Sequence, residues 1–142
     1  MGAERPPSTA QVALLMTRPQ AASQRFVAEL PEALLAGLRV IHAPLLQISP
    51  LEVKIEYAGF AGVIFTSANG VAAAGKPVAG LPVYCVGQRT ANSAKKAGWQ
   101  AQVCGGAAAE LVAGLRDLRP PVPLLHLHGR YTRGEVATRL TE

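Results

Sequence analysis

The sequence predicts a parallel α/β fold, and three observations lead to that class. Short apolar runs alternate with segments whose apolar residues recur at helical spacing. Each run is continuously apolar, which is typical of strands covered by helices on both faces. Glycine, hydroxyl or arginine residues follow the runs, as expected where strands pass into helices. The 142 residues are 49% hydrophobic and 16% charged, which predicts a compact domain and excludes a highly charged disordered chain.

The first third of the chain predicts a leader, one strand–helix pair and a connection. Residues 1–10 contain two prolines and no periodic pattern, so we expect a flexible leader. Residues 12–16 are an apolar run closed by Thr-Arg-Pro, which predicts a strand. Apolar residues between 26 and 35 recur at helical spacing and predict the first helix. Residues 39–46 predict an extended segment, and residues 45–55 a long connection that is broken by proline.

Four further strand–helix units follow at closer spacing. Glycines near the ends of two of the predicted helices act as stop signals. The predicted units are a strand at 62–65 with a helix ending near Gly75, a strand at 81–86 with a helix ending at Gly98, a strand at 101–104 with a helix at 107–118, and a strand at 123–128 with a helix from about 133 to 140. The expected architecture is a flavodoxin-like parallel sheet with helices on both faces, preceded by a strand–helix element.

Composition and charge limit the kinds of partner. Lys and Arg number 14 against 9 Asp and Glu, a net charge of +5 that favours anionic ligands. The basic residues are spread along the chain and aromatic residues are few, so no nucleic acid is expected as a partner. The apolar runs are far shorter than the roughly 18 residues of a membrane span, so no membrane is expected either. Two cysteines and the lack of a signal-like start predict reduced thiols and a cytoplasmic location.

The loops after the predicted strands are alike in composition: they contain small residues, residues with hydroxyl side chains, and arginines. Such loops lie at the carboxyl ends of parallel strands, where helix N-termini present free backbone N–H groups to ligands. Small residues allow close approach to a ligand, and arginines bind carboxylate or phosphate. The loops therefore predict an anion-binding edge, although Ser67 and Thr90 could equally be helix N-caps and each arginine a solvated surface residue.

Signatures of other chemistries are missing from the sequence. It has no glycine-rich motif that would bind a dinucleotide or a nucleoside triphosphate, and it has no GxSxG motif that would present a serine nucleophile. His126 and His128 share one face of a predicted strand, but no third ligand has suitable spacing, so no metal is predicted. Cys85 and Cys104 end apolar runs and are expected to be small buried hydrophobic residues.

Several short strings along the chain together carry a family resemblance. They are LLMTRP at 14–19, VIFTSANGV at 63–71, VYCVGQRTA at 83–91, AGW at 97–99, GGA at 105–107, and LHLHGR at 125–130 followed by Arg133. In this order and spacing, over residues 12–140, the sequence resembles the uroporphyrinogen-III synthase family.

The resemblance implies a cofactor-independent lyase of haem biosynthesis. Its reaction closes the linear tetrapyrrole hydroxymethylbilane to uroporphyrinogen III, with loss of water and inversion of ring D. The implied substrate is a polycarboxylate, which suits the predicted anion-binding edge. Catalytic residues cannot be assigned, and no cofactor or metal is implied. The candidate substrate-binding residues are Arg18, Thr66, Ser67, Ala68, Gly87, Thr90, Ala91, Gly129, Arg130 and Arg133.

The resemblance also implies a domain division. Residues 11–40 correspond to the first strand and helix of an incomplete first domain, and residues 41–140 to a crossover and the second domain. The family's return crossover and its tyrosine are not matched, and Tyr131 is not that tyrosine. The isolated chain is therefore expected to have little activity. The strand at 12–16 is expected to pair at a sheet edge, to exchange between two chains in a homodimer, or to be locally disordered.

Two further classes remain as alternatives to the enzyme. A non-catalytic anion-binding α/β module would bind carboxylate or phosphate without directing a cyclisation. A receiver-type signalling domain would need acidic residues clustered at strand ends, whereas the nine acidic residues lie mainly in predicted helices and connections.

Overall fold

The computed structural model describes residues 11–131 and 135–142. The chain divides into two compact units, Met1–Ser49 and Pro50–Glu142. The predicted leader at 1–10 lies outside the described residues, as does the start of the last predicted helix near 133. Among the helices that are described, none is long and apolar enough to cross a membrane.

The first unit contains one pair of parallel strands and two short helices. Its elements are β1 (Val12–Met16), α1 (Gln20–Ala28), α2 (Glu32–Leu35) and β2 (Leu38–His42). Strand β1 pairs with β2 from Val12↔Leu38 to Met16↔His42, so the predicted strand at 12–16 is confirmed and lies in a sheet.

The prediction of one helix over residues 26–35 is wrong. Helix α1 ends at Ala28, and Pro31 occupies the N-cap position of a separate helix, α2. Proline disfavours helical backbone at the residue before it and lacks the N–H that a continuing helix would use. The apolar spacing therefore runs through two helices that proline separates.

The second unit contains a four-stranded sheet with the strand order β5-β4-β3-β6. All three strand pairings in this sheet are parallel. The predicted α/β class with a parallel sheet is confirmed, and the arrangement is consistent with a flavodoxin-like one. The elements are β3 (Gly62–Phe65), α3 (Ala68–Ala73), β4 (Pro82–Cys85), α4 (Gly87–Lys96), β5 (Gln100–Val103), α5 (Ala108–Leu118), β6 (Leu124–Leu127) and α6 (Val136–Thr141).

Helices cover both faces of this sheet. Successive residues of a strand point to opposite sides of the sheet, so each side packs against different helices. Val63 and Phe65 of β3 pack with Val71 of α3 and with buried residues of α4. Ile64, between them in sequence, packs on the other face with Leu111 of α5 and with α6. All four residues of β3 are buried, as the continuous apolar run predicts for a central strand.

Candidate functional site

The strand register aligns the carboxyl ends of the four strands in the second unit. Phe65 of β3 pairs with Cys85 of β4 and with Leu127 of β6, and Cys85 in turn pairs with Val103 of β5. The residues that follow these positions therefore lie in one row along the sheet edge. We call this the strand-end row: Thr66, Val86, Cys104 and His128.

The corner between β3 and α3 carries three of the candidate residues. Ser67 is the N-cap of α3, and its Oγ accepts a hydrogen bond from the Gly70 backbone N at 3.3 Å. Thr66 is half-buried, and its Oγ1 lies 3.5 Å from Nε2 of His126 in the neighbouring strand β6. Ala68 is the first residue of the helix. The capping role expected for Ser67 is thus observed, and its exposed hydroxyl lies beside the strand-end row.

Helix α3 approaches the end of β6 closely at Gly70. A Cβ at this position would lie 3.0 Å from the carbonyl oxygen of Leu127. A backbone oxygen cannot move away as a flexible side chain would, so glycine allows the helix to pack here. This contact brings the β3–α3 corner next to the loop that follows β6.

The corner between β4 and α4 differs from the sequence expectation. Gly87 begins α4 with a φ of +73°, and its backbone N donates to the Gly105 carbonyl at 2.7 Å. Val86 is the N-cap, so the alternative interpretation of Thr90 as an N-cap is wrong. Thr90 and Ala91 lie about one turn inside the helix, and both are buried. Ala91 packs in the core cluster, whereas Gly87 lies at the sheet edge.

The loop after β6 contains two exposed candidate residues. Gly129 and Arg130 are exposed, directly after the strand-end row. His128 is also exposed, and its Nδ1 lies 2.7 Å from the Gly129 carbonyl, which accepts a hydrogen bond from the protonated form of this nitrogen. Arg133, a further candidate, lies outside the described residues.

Two histidines lie at the carboxyl end of β6, His126 in the strand and His128 directly after it. The rings of His126 and His128 have centroids 4.7 Å apart. Burial, and secondarily His128, lower the pKa of His126 from 6.5 to about 4, so His126 is neutral at pH 7. Over residues 11–131 and 135–142, no group of three potential metal-ligating side chains lies together. A neutral His126 can exchange a hydrogen bond with Thr66, in either direction according to its tautomer.

The two cysteines lie near the same edge. Cys85 is fully buried and Cys104 is half-buried. Burial raises the pKa of the Cys85 thiol to about 11, with Cys104 adding to the shift, and burial also raises the pKa of Cys104. Both thiols are protonated at neutral pH and are poor nucleophiles.

Arg18 belongs to the first unit, where it follows β1. Its guanidinium carbon lies 5.7 Å from the centroid of the Phe26 ring. Its backbone carbonyl accepts a hydrogen bond from the buried Ser23 Oγ at 3.1 Å, which fixes the turn between β1 and α1. The side chain itself is exposed.

Sequence analysis missed a pocket of about 580 Å³ in the second unit. Its apolar wall includes Leu115 of α5, Leu124 of β6 and Leu140 of α6, and Arg119 also contributes. His126 lines it, but among the described candidate binding residues none does. The pocket forms where α5, α6 and β6 meet, an arrangement that no single sequence string encodes.

The fold of the second unit is that of an open parallel α/β protein, a class in which ligands generally bind outside the carboxyl ends of the strands. A family model described as uroporphyrinogen-III synthase HemD matches residues 27–142. The chain therefore belongs to the uroporphyrinogen-III synthase family, which acts in porphyrin and haem biosynthesis. The match includes every candidate binding residue except Arg18. No curated protein matches the chain.

Proposed function

We propose that this chain acts in the closure of hydroxymethylbilane to uroporphyrinogen III, with loss of water and inversion of ring D. The family match over residues 27–142 carries this proposal. The class is a lyase of the hydro-lyase type that needs no cofactor. The ligand is a linear tetrapyrrole polycarboxylate, bound at the strand-end row and the loops beside it.

The chemistry of the edge supports this substrate class. In this reaction the developing cation and the attacking carbon both belong to the substrate, so the protein has to orient the chain and stabilise charge. Exposed Ser67 follows β3, and exposed Gly129 and Arg130 follow the neighbouring strand β6, so the same end of the sheet offers a hydroxyl, an accessible backbone and a guanidinium. Arg130 suits a carboxylate because its fork of N–H donors matches two oxygens. Thr90 and Ala91 are proposed to act through the shape of α4, since their side chains are buried.

We further propose that the 142-residue chain by itself has little cyclase activity. Three or four helix ends contribute roughly 1–4 kcal/mol toward carboxylates in total, whereas micromolar binding requires about 8 kcal/mol. In the first unit, Val12 is 67% and Leu15 57% exposed, so the β1–β2 pair leaves much of its apolar surface uncovered. A two-stranded sheet of this kind is marginally stable, and Arg18 depends on it for its position.

The test supplies hydroxymethylbilane to the chain and measures the ratio of the III and I isomers of the product. We expect an isomer ratio near that of the spontaneous reaction, together with weak binding of uroporphyrinogen III that Arg130→Ala reduces further. A strong excess of isomer III would contradict the proposal of low activity. Equal binding of uroporphyrinogen III and inorganic phosphate would instead favour a non-catalytic anion-binding module.

The predicted homodimer by strand exchange remains a proposal. It concerns β1, which pairs with β2 of the same chain. Light scattering that finds a monomer at all concentrations would overturn it. The cytoplasmic location stays a prediction, with the free thiols of Cys85 and Cys104 in its favour.

A further inference from the structure

The corner between β3 and α3 contains an asparagine that is followed by a glycine. The chain has two asparagines, Asn69 and Asn92, and Gly70 follows the first of them. The backbone nitrogen after an asparagine can attack the asparagine side-chain amide, and glycine hinders this attack least because it has no Cβ. This reaction makes asparagine thermolabile. The side chain of Asn69 is exposed, so water reaches its amide.

The first turn of α3 is closed by two long hydrogen bonds. The Gly70 N donates to the Ser67 Oγ at 3.3 Å, and the Val71 N donates to the Ser67 carbonyl at 3.4 Å. The usual distance for such bonds is about 2.9–3.0 Å, so both are weak. Helix α3 has only six residues, and so short a helix adds little to its own stability. We therefore expect this turn to open more readily than the buried strands beside it.

The hydrogen bond from Gly70 to Ser67 holds the nitrogen that would react. While the turn is closed, the Gly70 N–H donates to the Ser67 hydroxyl, and the helical backbone keeps this nitrogen out of the geometry needed for attack. Movement of α3 toward β6 is also blocked, since a Cβ at Gly70 would lie 3.0 Å from the Leu127 carbonyl oxygen. The reactive geometry is therefore reached when the first turn opens.

We propose that Asn69 is a deamidation site and that the Ser67 cap sets the rate of its modification. In the open turn, hydroxide takes the proton from the Gly70 N, and this nitrogen forms a bond to the Asn69 Cγ. The side-chain nitrogen takes up a proton and leaves as ammonia. Water then adds to one of the two carbonyl carbons of the resulting cyclic imide and breaks its bond to nitrogen, which leaves an aspartate or an isoaspartate. The reaction consumes one water, releases one ammonia, and requires neither oxidant nor reductant.

The modification changes both the charge and the backbone of this corner. A neutral amide becomes a carboxylate, which lowers the net charge of +5 by one. The aspartate product keeps the length of the main chain, so we expect it to retain the fold. The isoaspartate product adds one main-chain atom directly before Gly70, where the close approach to Leu127 leaves no space, so we expect it to loosen the corner.

The test incubates the whole chain at mildly alkaline pH and follows both asparagines by peptide mapping with mass spectrometry. We expect Asn69 to deamidate well before Asn92, which lies inside α4, accepts a hydrogen bond from the Gln88 Nε2 at 2.8 Å and precedes a serine. Ser67→Ala removes the acceptor for the Gly70 N–H. It should raise the rate at Asn69 about two- to fivefold, which corresponds to a lost cap worth about 0.5–1 kcal/mol.

The control is Ser93→Ala, which makes the same change next to Asn92, where the Ser93 Oγ donates to the Arg89 carbonyl. It should leave the rate at Asn69 unchanged, and circular dichroism should show that both variants are folded. Deamidation of Asn69 no faster than that of Asn92 overturns the proposed site. A rate at Asn69 that Ser67→Ala does not raise overturns the role of the cap. Equal acceleration by Ser93→Ala also overturns that role, because unfolding of the whole unit would then set the rate.

Discussion

The two units contain the same kind of strand, but they bury it very differently. Strand β1 is five apolar residues long, yet Met16 is its one buried residue. Strand β3 is shorter, and all its residues are buried. The difference shows that a continuous apolar run predicts a strand, whereas burial depends on how many layers cover it. In the second unit, helices lie on both faces of four strands and supply those layers.

The rigidity of the candidate site follows from this difference in burial. The strand-end row rests on strands that are closely packed up to their carboxyl ends, where Phe65 and Cys85 are fully buried. Arg18, in contrast, follows β1, in which Val12 and Leu15 are mostly exposed. Residues on well-packed elements hold their geometry better than residues on loosely packed ones. We therefore expect stability and ligand orientation to depend mainly on the second unit.

The largest expected effect comes from truncating the core of the second unit. Phe65 is fully buried, with its ring edge-on to Trp99 at 5.7 Å. Phe65→Ala should lower the free energy of unfolding by about 3–5 kcal/mol through lost burial and a cavity. The matched change in the first unit, Leu15→Ala, should cost less than about 1 kcal/mol because the side chain is already 57% exposed.

Denaturant unfolding followed by circular dichroism measures both variants, since both units contain helices, and the fluorescence of Trp99 follows the second unit separately because the chain's one tryptophan is buried there. Equal losses for the two variants would mean that the strands of the two units contribute alike to stability, and that burial does not distinguish them.

The second prediction concerns the loop that holds Gly87. Gly105 has a φ of +102°, and a Cβ there would lie 2.8 Å from the Glu110 carbonyl carbon. Gly105→Ala combines backbone strain with a steric clash and should destabilise the second unit by about 2–4 kcal/mol. Gly75→Ala is the control: its φ is +71°, but a Cβ there meets nothing within 4 Å. It should cost only about 1 kcal/mol. If thermal unfolding showed equal losses, the clash with Glu110 would not matter.

The third prediction is a pH dependence of stability that arises at β6. Because the pKa of His126 is about 4 in the folded chain and 6.5 ordinarily, the unfolded chain takes up a proton that the folded chain resists. The resulting stability is fully present above about pH 6.5 and is lost as the pH falls toward 4. The loss at this residue should reach roughly 2–3 kcal/mol.

Urea unfolding at several pH values should therefore show a flatter pH profile for His126→Gln than for the wild type. Because His128 contributes to lowering the pKa of His126, His128→Gln should flatten the profile by a smaller amount. A profile unchanged by His126→Gln would show that other groups carry the acid sensitivity.

Much of the fold could be predicted from the sequence because local signals and packing agree there. The bounds of β1 and β3 match the apolar runs at 12–16 and 62–65. The helix break at Pro31 was missed because apolar spacing continues across it, although proline itself carried the signal. Strand order could not be predicted, since it depends on contacts between segments far apart in the chain.

The candidate site was harder to predict for the same reason. The contact between Thr66 and His126 exists because β6 lies next to β3, which no string reveals. Thr90 was a plausible cap, but Gly87 starts α4 earlier, and its hydrogen bond to Gly105 joins two separate loops. Sequence analysis identified residues near the edge, whereas the three-dimensional structure determines which side chains face outward.

The smallest expected effect separates the capping role of Ser67 from its proposed binding role. Ser67→Ala removes the acceptor for the Gly70 N–H and should cost about 0.5–1 kcal/mol of stability. Ser93→Ala in α4 is the control, since the Ser93 Oγ only donates back to the Arg89 carbonyl within its own helix, and this change should be nearly neutral.

Ser67→Asp keeps a cap and should retain wild-type stability, but its negative charge faces the strand-end row. If that edge binds carboxylates, Ser67→Asp should weaken the binding of uroporphyrinogen III more than Ser67→Ala does, as measured by titration calorimetry at constant salt. The reverse order of affinities would mean that Ser67 only caps α3, and that the well-packed second unit binds its ligand elsewhere.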